Sequence, residues 1–193
     1  MKTTILTIRL VSILLFVGGA ALFVGSSAAF WEGYSSVEKI NREPKTEQPA
    51  TSDTELERGD LIGSLLIPRL DAKIPVFHGS TEDELIKGIG HVENSKLPEE
   101  NGNIVLSGHR DTVFRKLGEL EVGDLLQLEM AAGIYTYKIK KIRTADEDDL
   151  TVLVPRPRET LTVTTCYPFT YIGSAPERYI LEAMRIDKKV PSL

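Results

Sequence analysis

Leu161-Thr162-Val163-Thr164-Thr165-Cys166 is the stretch on which the fold turns. It is rich in β-branched residues. Period-2 alternation puts Leu161 and Val163 on one face of a strand, with Thr162, Thr164 and Cys166 on the other. Short apolar or β-branched runs of the same kind recur outward from it, separated by Gly, Pro and Asp. The candidate strands are Leu61 to Ile67, Ile74 to Phe77, Ile104 to Ser107, Asp124 to Met130, Ile134 to Ile142, Leu161 to Cys166 and Arg178 to Ile186. Such spacing predicts an all-β barrel or sandwich whose sheet is closed or nearly closed. Thr81 followed by Glu84 is the capping-box signature of a short helix, and Thr112 to Leu117 can hold another helical turn.

Cys166 is the only cysteine of the chain, which excludes an internal disulfide framework and a four-cysteine zinc site. Free cysteines usually pack as small hydrophobes. Here the thiol shares the polar face of its strand, so a reactive role stands beside the packing one.

A histidine is the natural partner for a reactive thiol. Ile104-Val105-Leu106-Ser107-Gly108-His109-Arg110-Asp111 reads as a buried strand that stops at a glycine and presents His109 among polar residues. An imidazole titrates near 6.5 and a thiol near 8.5 in model compounds, so only a minority of such pairs is ionised at neutral pH, and turnover should follow a bell-shaped pH profile. A loop histidine bonded to its own backbone is the other reading of His109. His78, before a Gly-Ser turn, and His91, in Gly88-Ile89-Gly90-His91, read as turn residues with structural roles. Arg178 opens the last strand, after a loop from Tyr167 to Glu177 that contains Pro168, Gly173 and Pro176 and can wall a groove. If the last strand pairs beside the cysteine strand, Arg178 lies near Cys166, in range of a developing negative charge. Otherwise it is a solvated surface arginine.

The 193 residues are 41% hydrophobic and 26% charged, which is ordinary globular composition. A net charge of -5 offers no general cationic field, so nucleic acid is not an expected partner. Leu10 to Trp31 carries no charge and is long enough, as a helix, to span a bilayer. Lys2 and Arg9 precede it and Glu32 follows, which sets the N-terminus in the cytoplasm and the body outside. A cleaved signal peptide ending near Ser27-Ala28-Ala29 is the alternative, and it exports the body equally. Residues 32–60 hold eight acidic and four basic side chains with Pro44 and Pro49, the composition of a flexible extracytoplasmic stalk. The expected division is therefore 1–31 membrane anchor, 32–60 stalk and 61–193 catalytic body.

Taken together, Gly88-Ile89-Gly90-His91, Lys96-Leu97-Pro98, Gly102-Asn103, Leu106-Ser107-Gly108-His109-Arg110, Thr162-Val163-Thr164-Thr165-Cys166 and Arg178 resemble the sortases. These are cysteine transpeptidases of Gram-positive surfaces built on an eight-stranded β-barrel. The resemblance implies a closed barrel of about eight strands with one or two short helices, behind an N-terminal transmembrane helix. It assigns the catalytic positions to His109, Cys166 and Arg178, and a substrate-binding position to Thr165. Val163 departs conservatively from the family's Thr-Leu-x-Thr-Cys pattern. With no Asp-Pro-aromatic lid motif, and with Cys166-Tyr167-Pro168-Phe169 and a single short anchor, the chain looks most like class D.

The resemblance also implies partners: secreted proteins carrying a Leu-Pro-x-Thr-Gly or Leu-Pro-x-Thr-Ala sorting signal, and an amine of a cell-wall precursor as acceptor. No metal or organic cofactor is chemically required. Some sortases bind calcium near a loop comparable to Asp146 to Asp149, but this run lacks the spaced ligands of a known loop motif and reads as a solvated acidic turn. A cysteine hydrolase using the same Cys-His pair and a non-catalytic surface binding domain are the competing functions.

Overall fold

The computed structural model describes residues 12–21, 56–170 and 175–190. Within them eight strands close into a barrel: β1 (Leu61–Ile67), β2 (Ala72–His78), β3 (Ile89–His91), β4 (Asn103–Ser107), β5 (Leu125–Met130), β6 (Gly133–Asp146), β7 (Thr160–Tyr167) and β8 (Glu177–Lys189). Their order around the barrel is β1-β2-β3-β4-β7-β8-β6-β5, with β5 returning to β1. Two neighbouring pairs, β2 with β3 and β4 with β7, are parallel, and the rest are antiparallel. Followed round the ring, these directions make β1, β4, β6 and β7 begin at one end of the barrel and finish at the other.

Alternation fills the interior. Leu65 and Ile67 of β1, Ile74 and Val76 of β2, Ile104 and Leu106 of β4, and Leu161 and Val163 of β7 are all buried in one core. On the outer side of β4 and β7 a smaller cluster of Val105, Val152 and Ile180 lies beneath the 3-10 turn Leu150–Val152. Asn103 ties that turn down, its amide donating to the carbonyls of Val152 (2.7 Å) and Val154 (3.2 Å), while Thr162 Oγ1 donates to Asn103 Oδ1 (2.7 Å).

The strand missing from the sequence reading is β3. Gly88-Ile89-Gly90-His91 reads as a turn because glycine usually breaks regular structure, and three residues are too few to show a period. Here Gly90 serves a close approach instead, since a Cβ at that position would stand 2.6 Å from the carbonyl oxygen of Gly79. His78 and His91 accordingly sit side by side at the ends of β2 and β3. The parallel β2 and β3 are joined by the short helix Glu82–Lys87. The Glu84 carboxylate accepts from both the backbone N–H (2.8 Å) and the hydroxyl (2.6 Å) of Thr81 at its start. Residues 110–116 form turns rather than helix, and the one regular element there is the 3-10 turn Leu117–Glu119.

The expected membrane-spanning stretch, residues 10–31, is described only over 12–21, which are helical and exposed. Among the described residues no helix is long and apolar enough to cross a membrane. The remainder of that stretch, and residues 32–55 of the expected stalk, lie outside the described residues. Residues 56–60 are bonded to the body: the Gly59 N–H donates to His78 O (2.7 Å), and Arg58 forms an ion pair with Glu93 (2.9 Å).

Candidate active site

β7 carries Cys166 to the end of the barrel where β4 and β6 also finish. Its antiparallel partner β8 places Arg178 directly opposite Cys166 in register. Opposed residues on one face of such a pair have Cβ atoms about 4.5–5.5 Å apart. Thiol and arginine therefore share the outer face, and both are partly exposed. The Arg178 guanidinium turns back on its own loop. Nη1 donates to the carbonyls of Ala175 and Glu177 at 3.2 Å each, and Nη2 lies 3.6 Å from Glu147, the residue after β6.

On the other side of β7, β4 runs parallel and ends at Ser107, opposite Thr164. Gly108 then bonds to β7 twice: its N–H donates to Thr164 O (3.3 Å), and its carbonyl accepts from Thr165 Oγ1 (2.7 Å). Glycine is required at this point because a Cβ would stand 2.6 Å from the buried ring of Phe114. His109 is therefore launched from a residue stitched to the positions just before Cys166. Its carbonyl accepts from Phe114 N (3.0 Å), closing the turn, and its Nε2 lies 3.3 Å from Glu82 at the start of the short helix. The imidazole is about a third exposed and faces a carboxylate that is itself 70% exposed, so their attraction is screened.

Thr165 occupies the inward face. It is 2% exposed and its hydroxyl is committed to Gly108. Thr164, on the face of Cys166, has a buried hydroxyl without a hydrogen-bond partner, as does Thr112 in the turn after His109. Behind the cysteine, Tyr167, Phe169 and Tyr179 pack ring against ring, with centroids 5.1–5.8 Å apart. Burial pushes the Tyr179 phenol above its ordinary range, and the neighbouring Tyr167 adds to that.

Two contributors have no clear signal in the sequence. Arg110, next to His109, is 5% exposed and donates from Nη1 to Pro168 O (3.0 Å), so it clamps the chain after the cysteine to the histidine loop. Glu82 shows in sequence only as an acidic first helical residue, and nothing in the pattern links it to His109. His78 and His91 face one another. Their Nδ1 atoms are 3.2 Å apart, and His91 Nε2 lies 3.0 Å from Lys96 O and 3.1 Å from Ser95 Oγ. In the acidic run, Asp149 is held by Arg143 (3.0 Å) and accepts from Thr151 N (2.8 Å). The Thr151 hydrogen bonds, joined by that arginine, pull its carboxyl down to about 2.

A lone partly exposed thiol, an arginine opposite it and a histidine launched from the end of the neighbouring strand β4, all at one end of an eight-stranded barrel, form a cysteine-enzyme class of architecture. The Sortase domain family model matches residues 65–186, and the chain belongs to the sortase family of cysteine transpeptidases. It is 49% identical to Sortase D of Bacillus subtilis (strain 168) over 131 residues, which cover 67% of this chain and 66%, just under two thirds, of that relative. Among solved structures, the catalytic domain of B. anthracis SrtD is 42% identical with a TM-score of 0.62, covering 74% of this chain and 98% of that one. A Clostridium perfringens Sortase D5 transpeptidase is 33% identical with a TM-score of 0.63, over 69% and 83%.

Proposed function

We propose that this protein is a membrane-anchored transpeptidase that cleaves a Leu-Pro-x-Thr-Gly or Leu-Pro-x-Thr-Ala type sorting signal after its threonine and joins the new end to an amine of a cell-wall precursor. The observation that carries this reading is the register of β7 with β8, which sets Cys166 opposite Arg178, while Gly108 is bonded to the residues just before the thiol. Residues 10–31 would hold the body to the outer face of the cell membrane, with the N-terminus in the cytoplasm and residues 32–60 as spacer. The partners are secreted proteins that carry the signal.

Chemically, the Cys166 thiolate attacks the threonine carbonyl and forms a C–S bond, and the carbonyl pair moves to oxygen. The C–N bond then breaks as His109 gives a proton to the departing amine, leaving a thioacyl enzyme. His109 next takes a proton from the incoming amine, which attacks the thioester, forms the new amide and releases the thiolate. Arg178 serves the oxyanion or positions the peptide. Its present bonds to its own loop carbonyls would have to yield to the substrate. Thr165, committed to Gly108, acts by holding the histidine loop to the nucleophile strand, and serves substrate binding only through that tie.

Incubation with a sorting-signal peptide, followed by mass spectrometry, tests this directly. The expected result is a thioester adduct on Cys166 that converts to an amide when an amine is supplied. An adduct that always yields the free acid, indifferent to amine, makes the protein a hydrolase; no adduct with any such peptide removes the reading.

A further inference from the structure

A second feature lies on the outer wall of the barrel, about 20 Å from Cys166 if Thr160 to Cys166 is measured along β7 at roughly 3.3 Å per residue. It is a cavity of about 330 Å³ whose lining includes Lys140, Lys141, Arg156 and Arg158, with one carboxylate, Glu182, and the side chain of Met184. The lysine pair depends on an irregularity. Between β6 and β8 the register shifts after Ile139, which faces Ala183, so that Lys141 faces Glu182 and Lys140 is the extra residue. A bulge of this kind re-aims side chains, and both lysines are exposed at the same cavity. In regular alternation one of the two would turn inward.

The charges there are poorly compensated. Among the described residues, Lys140, Lys141 and Arg158 take part in no ion pair, although the whole chain carries a net charge of -5. Glu182 uses a single oxygen for both Arg143 Nε (3.1 Å) and Arg156 Nη2 (3.2 Å), and so fixes Arg156 at the cavity wall. Arg156 Nε is buried and has no hydrogen-bond partner. A charged N–H removed from water is well served only by an anionic acceptor. Met184, 40% exposed, adds an apolar surface beside these donors. Cationic donors next to an apolar floor suit a phosphate ester of a small polyol better than a bare inorganic ion.

We propose that this cavity is a binding site for a glycerophosphate group. Arg156 and Arg158 supply forked donors, Lys140 and Lys141 supply point charge, and the carbon skeleton rests against Met184. Such a group can come from an anionic lipid headgroup or from dissolved glycerol phosphate. The site lies toward the end at which β1 and β7 begin. The lipid source, but not the site itself, rests on the membrane-anchored reading given above.

The test uses the full chain in phosphatidylcholine nanodiscs, with the Arg156 Nε–H resonance as the readout. One arm titrates dissolved glycerol phosphate, one replaces part of the lipid with phosphatidylglycerol, and one titrates sulfate. A saturable shift in either of the first two arms, weakened about tenfold in the exposed pair Lys140→Gln with Lys141→Gln and reduced by salt, supports the site. A response in the lipid arm alone assigns the source to the membrane, and in the dissolved arm alone to a soluble or polymeric phosphate. The site is overturned by silence in both arms, or by an equal response to sulfate that the lysine substitutions leave intact. Cys166→Ala should bind as the parent does, and the lysine variants should turn over a soluble peptide normally. A failure of the peptide chemistry therefore remains separate from a failure of this site.

Discussion

His91 and His109 belong to neighbouring strands, His91 paired opposite Leu106 of β4 and His109 just past that strand's end, and they meet opposite fates. His91 is 1% exposed, and its two ring nitrogens lie against His78, Lys96 O and Ser95. Every polar atom of that ring is accounted for inside the protein. His109 is about a third exposed, and its Nε2 meets only the solvated Glu82 at 3.3 Å. The same side chain is a rivet where its surroundings satisfy it, and is left open for the proposed proton transfer where they do not. β7 repeats the contrast along its own length: Thr162 is fully buried and bonded to Asn103, whereas Thr164 is left without a partner and Cys166 reaches solvent. Closed bonding marks the end that holds the fold, and open bonding the end proposed to do chemistry.

Substitutions at the open end should break activity and spare the fold. Cys166→Ala and His109→Ala are each expected to lower transpeptidation by about a thousandfold or more, with an unfolding midpoint near that of the parent. Arg178→Ala is expected to cost about a hundredfold to a thousandfold in kcat, and Arg178→Lys should restore it only partly because the planar fork is lost. Kinetics alongside thermal melts check all three, and a large loss of stability in Cys166→Ala would erase the contrast.

At the closed end the pattern should invert. Tyr137 is fully buried, and its hydroxyl donates to Glu159 Oε1 at 2.7 Å, while Glu159 Oε2 accepts from Glu99 N and pairs with Arg185, each at 3.0 Å. Burial first, and then this carboxylate, push the phenol far above its ordinary range, so it remains a donor at any physiological pH. Tyr137→Phe should cost about 1–3 kcal/mol of stability by denaturant titration and leave kcat unchanged.

His91 sharpens the same point through pH. Burial lowers its pKa below the ordinary 6.5. The unfolded chain therefore takes up a proton at that residue before the native state does, and stability falls as pH drops through and below about 6.5, at no more than about 1.4 kcal/mol per pH unit for one proton. His91→Gln should flatten that slope, and an unchanged slope would assign it elsewhere. The smallest effect belongs to Glu82→Gln: a solvated pair is worth about 0–1 kcal/mol, so activity should change little, and less still in high salt.

How much of this was legible follows from range. β1 was readable to the residue, and the other six expected strands were placed with ends shifted by a few residues, because alternation is a local property of the chain. β3 was not, since its identity lies in which backbones approach Gly90 and His91. Cys166, His109 and Arg178 could be chosen by type and by setting, but Arg110 and Glu82 could not, because their partners are 58 and 27 positions away in sequence. The double-lysine cavity was equally hidden, as a register shift exists only between paired strands.

The amino-acid order alone settled that this is an all-β chain with one thiol on the polar face of a strand, and its motifs named the family to which it belongs. Only the closed barrel decided that β8 pairs with β7 so that Arg178 faces Cys166, and that β4 lies on the other side of β7 so that Thr165 holds Gly108. The physical reason is that alternation specifies which face a side chain takes, whereas strand order and register are fixed by the whole set of apolar residues that must be buried together.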